Sequence, residues 1–113
     1  MHELSIMHNI VGIAEEQVRQ HQAQEVEILE LEIGDLSGIE MEALLFAWEA
    51  AVGGTVLEKS KRIIHRIRGK AICGGCGEEY DMPQMYQPCP TCGGFCKAII
   101  AGQELLVKSM TMS

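Results

Sequence analysis

Cys73-Gly74-Gly75-Cys76 and, one short loop later, Cys89-Pro90-Thr91-Cys92 are the stretches on which the fold of this chain turns. Two CxxC knuckles, each followed by a glycine (Gly77 and Gly93), have the ligand count and spacing of a tetrahedral zinc site. Glycine tolerates the backbone conformation that turns amide N–H groups toward the sulfurs, and Pro90 stiffens the second turn. Between Ala71 and Gly102 the large apolar side chains are limited to Tyr80, Tyr86, Phe95 and a few Met or Ile residues. So small a core does not hold such a segment alone. Structural zinc, which contributes about 10–16 kcal/mol in small fingers, offsets the ordering of the loop.

The same knuckles, Cys73 to Asp81 and Cys89 to Gly93, also resemble those of rubredoxins, where four cysteines hold a redox iron. Rubredoxins place a longer, aromatic-rich loop between the pairs. The loop from Gly77 to Pro88 is short and carries two tyrosines, so zinc is the expected ion. Disulfides are the weaker reading: the start Met-His-Glu-Leu-Ser has an acid where a signal peptide needs basic residues, which points to a cytosolic chain with reduced thiols. Cys96 is a fifth cysteine beyond the second knuckle. It reads as a small spare side chain, with exchange into the zinc site as the sharper alternative.

With 113 residues the chain makes one modest domain, or one domain with a metal-held appendage, and no apolar run is long enough to span a membrane. A net charge of −7 argues against nucleic-acid binding. Most of the cations crowd into one run, Lys59, Lys61, Arg62, Arg66, Arg68 and Lys70. This run reads as a solvated strand face that balances a negatively charged thiolate centre, or as a docking stripe for an acidic partner.

Working outward, Ser5 to about Gln22 carries a helical stripe of Ile6, Met7, Ile10, Val11, Ala14 and Val18, capped by Ser5 or an earlier residue. Glu25 to Ile33 reads as a strand whose alternation slips at Ile28-Leu29. Gly34 to Gly38 is turn chemistry, and Glu40 to about Val52 predicts a second helix with Leu44, Leu45, Trp48 and Val52 inward. Gly53-Gly54 stops that helix. Thr55 to Arg68 reads as extended chain, and Glu104 to Met112 as a last strand. His8, His21 and His65 read as ordinary surface or partly buried side chains. The expected fold is α+β: two helices packed on a small mixed sheet, residues 1–70 plus 103–113, with a four-cysteine zinc ribbon, residues 71–102, inserted before the final strand.

The first three residues, Met1-His2-Glu3, carry a second possible chemistry. The bulky His2 should leave Met1 in place, so that the free amine, the deprotonated His2 amide and the His2 imidazole can close fused chelate rings, with a group from Glu3 completing the set. Planar, nitrogen-rich coordination suits Ni(II) or Cu(II) better than zinc or magnesium. Taken alone, an early histidine reads first as a surface side chain.

Together, Met-His-Glu-Leu-Ser at the start, Ile33-Gly34-Asp35-Leu36-Ser37 leading to Glu40, and CxxC followed by CPxC resemble the HypA/HybF family of hydrogenase maturation factors, over essentially the whole chain. The resemblance implies a cytosolic nickel metallochaperone, not an enzyme. Such a protein inserts nickel into the large subunit of [NiFe] hydrogenase with the GTPase HypB, and some members also serve urease. It places transferable nickel on His2, with Glu3 and the Met1 amine beside it, and structural zinc on Cys73, Cys76, Cys89 and Cys92. Glu40 reads as a helix-start carboxylate favoured by the dipole, with an auxiliary nickel ligand as the sharper alternative. The rivals of other classes are a zinc-ribbon nucleic-acid or transcription accessory and a rubredoxin-like electron carrier.

Overall fold

A computed structural model describes residues 3–113. Met1 and His2, and with them the expected nickel donors of the amine and the imidazole, lie outside the described residues. The element order is α1 (Glu3–Gln20), β1 (Val26–Gly34), α2 (Met41–Ala51), β2 (Lys61–Ile67), β3 (Lys70–Cys73), β4 (Glu79–Asp81), β5 (Lys97–Ala101) and β6 (Leu105–Met112). The fold is the expected α+β arrangement of two helices with small sheets. One sheet has the order β2-β1-β6 and the other β4-β3-β5. In the first, Val26 N–H donates to Val56 O and Asp35 N–H to Ile67 O, so β1 and β2 run the same way. Gln24 N–H donates to Ser113 O and Gly34 N–H to Glu104 O, so β6 runs against β1 and the sheet is mixed. The second sheet is antiparallel, with a register shift at Lys70/Ala71.

By contacts the chain divides into two units: Met1–Leu31, Ile39–Ile64 and Val107–Ser113 form one, Glu32–Gly38 and His65–Leu106 the other. In the first, α1 buries Met7, Ile10, Ala14 and Val18 of its expected stripe, with Ile6 and Val11 half-buried; α2 buries the expected Leu44 and Trp48 together with Ala47 and Ala51, while the expected Leu45 is only half-buried. The slip in β1 is a change of buried parity, from Val26 to Leu29, Leu31 and Ile33, with Ile28 half-buried. Arg62 lies over the Trp48 ring, 5.4 Å from its centroid, and reaches Glu49 at 3.4 Å.

Three boundaries differ from expectation. The first helix already includes Glu3, so Ser5 is a helical residue and the third member of the N-terminal triplet belongs to α1. An acid in a first helical turn is favoured by the helix dipole. The same helix stops at Gln20 because Gln22 takes a left-handed φ of 54° while Ala23 N–H bonds Val18 O and Gln22 N–H bonds Arg19 O, a Schellman closure without glycine. Finally, Thr55 to Ser60 is a chain of turns and not a strand. Thr55 Oγ1 donates to Val52 O and accepts from Leu57 N–H, local bonds that outcompete a sheet ladder and seat a fully buried Leu57.

Candidate metal centre

The second unit is built around Cys73 and Cys89. Cys73 ends β3 and is buried together with Leu36, Ala71, Tyr80, Met82 and Cys89, with Ile99 packed against the cluster. Tyr80 Oη donates to Gln87 O at 3.5 Å, and Lys97 Nζ bonds the same carbonyl at 2.8 Å, bracing the loop ahead of the second knuckle.

The knuckles are closed alike. Gly77 N–H donates to Cys73 O at 3.0 Å and Gly93 N–H to Cys89 O at 2.8 Å, each glycine in the left-handed region, φ 78° and 74°. The sulfurs converge: Cys73 Sγ lies 3.5 Å from Cys92 Sγ and Cys76 Sγ 3.7 Å from Cys89 Sγ, and all four lie within 4.8 Å of one another. Zinc–sulfur bonds of about 2.3 Å in a tetrahedron require sulfurs roughly 3.8 Å apart, so the four residues fit such an ion. Bound there, such an ion would be held by all four cysteines and would serve a structural role. Among the described residues no other group of three or more His, Cys, Asp or Glu side chains converges in this way. His8 and His21 are exposed, and His65 is half-buried on β2. Cys96 is exposed and outside the converging set. Its carbonyl accepts Gly74 N–H at 2.7 Å, so its main chain closes the first knuckle.

The four thiols do not hold their protons equally. Cys73 is lowered to about 6 by the amide N–H groups of Cys76 and Gly75, then by the Cys92 thiol. The Glu78 amide pulls Cys76 down, but desolvation and the thiols of Cys89, Cys73 and Cys92 outweigh it and push Cys76 up to about 12. Cys89 is lowered by the Cys92 amide, whereas Cys92 is raised: its Gly94 amide contact is overcome by the Cys73 sulfur and desolvation. In each knuckle one thiol is lowered and its partner raised, because four thiolates so close together repel.

Zinc uptake at neutral pH would therefore displace the protons that the thiols still hold, that of Cys76 above all. Acid restores them, so zinc affinity falls with falling pH, by about tenfold per pH unit for each proton exchanged. Chelator competition at several pH values reads that slope. A flat profile would remove these thiols from the ligand set.

Of the cationic run, Arg62 pairs with Glu49, Arg66 with Asp35 at 3.2 Å and Arg68 with Asp81 at 3.9 Å. Asp35 Oδ2 also accepts Gly69 N–H at 3.3 Å. Half of the run is thus engaged by the chain's own carboxylates. No helix of the described residues is long and apolar enough to cross a membrane.

Two helices, small sheets and four converging thiolates define a small metal-binding α+β protein. Residues 1–112 match the family described as "Hydrogenase/urease nickel incorporation, metallochaperone, hypA". The hydrogenase maturation factor HypA of Parabacteroides distasonis is 46% identical over 99% of this chain and 97% of its own length, and that of Prosthecochloris aestuarii is 37% identical over 99% of both. The fold matches the solution structure of the nickel metallochaperone HypA from Helicobacter pylori, with a TM-score of 0.67 at 23% identity over 99% of this chain and 97% of that one. The chain belongs to the HypA family, a family of metallochaperones and not of enzymes.

Proposed function

We propose that this chain is a cytoplasmic nickel metallochaperone that delivers nickel to the large subunit of [NiFe] hydrogenase together with a HypB-type GTPase, with urease maturation proteins as further clients. The observation that carries this reading is the family match over residues 1–112, a span that takes in both the Met1-His2-Glu3 start and the four converging cysteines. Nickel binds at the start, on the Met1 amine and His2 with Glu3 beside them, within the division 1–70 plus 103–113. Zinc sits on Cys73, Cys76, Cys89 and Cys92 in 71–102 as a structural ion. A terminal site of few protein donors suits cargo that must be released. The imidazole and the amine titrate near 6.5 and about 7.7–8.0 in unperturbed chains, so acid competes for the same nitrogens.

Calorimetric titration of nickel into zinc-loaded, untagged protein tests the reading. His2→Ala is expected to abolish stoichiometric nickel binding with zinc content and helicity unchanged. N-acetylation, or extension by Gly-Ser, converts the amine into an amide and should weaken binding. Because Glu3 is already helical, helicity is checked in each variant. Tight binding of one nickel by His2→Ala would move the site elsewhere, and equal affinity in the native, extended and acetylated forms would exclude the amine.

A further inference from the structure

In a capping box the third helical residue is Glu or Gln, and its side chain returns to the N–H of the N-cap residue. The N-cap of α2 is Glu40, whose carboxylate accepts Glu42 N–H at 2.9 Å. The third helical residue is Ala43, which has no group to return. The N–H of Glu40 is taken instead by Glu3 Oε2, 3.1 Å away and from the first turn of the other helix. Glu3 is half-buried and shares a groove with Leu4, Ala43 and Ala47. The positive end of α2 offsets the crowding of Glu3, Glu40 and Glu42.

We infer that the Glu3 carboxylate is a positioning residue for nickel capture: it completes the α2 cap across the helix pair, anchors Glu3 of α1 beside α2, and is not itself a nickel donor. The inference rests on the proposed nickel site at residues 1–3. Ordering a free chain end around an ion carries an entropic cost, and an anchor at the third residue removes part of it before nickel arrives.

The test compares zinc-loaded, untagged wild type with E3A and E3Q. Nickel affinity is measured by calorimetry, and Glu40 amide exchange is measured without nickel. E3A lacks the acceptor, and should lose protection at the Glu40 amide and weaken nickel binding about fivefold, the scale of a lost cap. Gln keeps a carbonyl acceptor but no charge, so E3Q should restore both protection and most of the affinity. If E3Q protects the Glu40 amide yet binds nickel as poorly as E3A, the carboxylate is a donor and the inference fails. It fails equally if E3A leaves Glu40 protected. His2→Ala is measured in parallel: if it binds nickel like wild type, the terminal site is wrong, while the exchange data still decide whether Glu3 caps α2.

Discussion

Replacement of Cys73 or Cys92 by serine is expected to strip the thiolate centre of zinc, from about one ion per chain to almost none, and to disorder the chain from about Ala71 to Gly102. Cys73 Sγ and Cys92 Sγ face each other at 3.5 Å, one from each knuckle, so either change leaves three sulfurs that cannot close a structural site. What remains to hold the segment is a cluster of Leu36, Ala71, Tyr80 and Met82 with the cysteines themselves. Against the roughly 10–16 kcal/mol that structural zinc supplies in small fingers, that core is minor. The helical unit, with its own buried Met7, Leu29, Leu44 and Trp48, should stay folded. Metal analysis and amide spectra of each variant distinguish local from global loss. Cys96 should not rescue the site, so C92S and C92S/C96S should behave alike. An unchanged zinc content in either single variant would overturn the four-cysteine assignment.

An alanine at Gly69 or Gly102 should destabilise the cysteine-bearing unit by about 3 kcal/mol or more, in the range of severe packing and backbone lesions. A Cβ on Gly69 would sit 2.0 Å from the carbonyl oxygen of Met82 and 3.0 Å from Leu36 Cγ. One on Gly102 would sit 2.5 Å from Gly69 Cα, at a φ of 107° that side chains rarely adopt. These are backbone neighbours tied by Met82 N–H to Gly69 O at 2.7 Å and Leu36 N–H to Gly102 O at 2.6 Å, and they cannot swing aside. Gly12 is the counterexample. It lies within α1 with nothing near its Cβ direction, so G12A should stabilise the helix by about 1 kcal/mol. Urea denaturation of zinc-loaded protein, followed by amide exchange across residues 65–106 for G69A and G102A and across α1 for G12A, measures both signs. A midpoint for G69A matching wild type would mean that the chain passages there are not packed as described.

Much of this molecule is local in sequence and was legible there. Ligand spacing in Cys73-Gly-Gly-Cys76 and Cys89-Pro-Thr-Cys92 is a short-range property, as is the left-handed turn each knuckle requires at Gly77 and Gly93. Helical stripes follow from periodicity, which marked Met7, Ile10, Ala14, Val18, Leu44 and Trp48 as inward. The order of helices and strands then defined the α+β class. Other features depend on residues far apart in the chain, and residue type does not say which distant backbone will lie alongside. Asp35 and Leu36 looked like ordinary turn residues, yet Leu36 is part of the core beneath Cys73 and Cys89, and Asp35 holds Gly69 N–H and Arg66. Gly34 read as part of a turn, and nothing in the sequence singled out Gly69 or Gly102. Their need to be glycine comes from the backbone each meets: a Cβ on Gly34 would strike Gly102 O at 1.9 Å. Glu3 read as a candidate nickel donor beside His2. Only the tertiary structure brings its carboxylate to the Glu40 amide, because that contact joins residues 37 positions apart through the packing of α1 on α2.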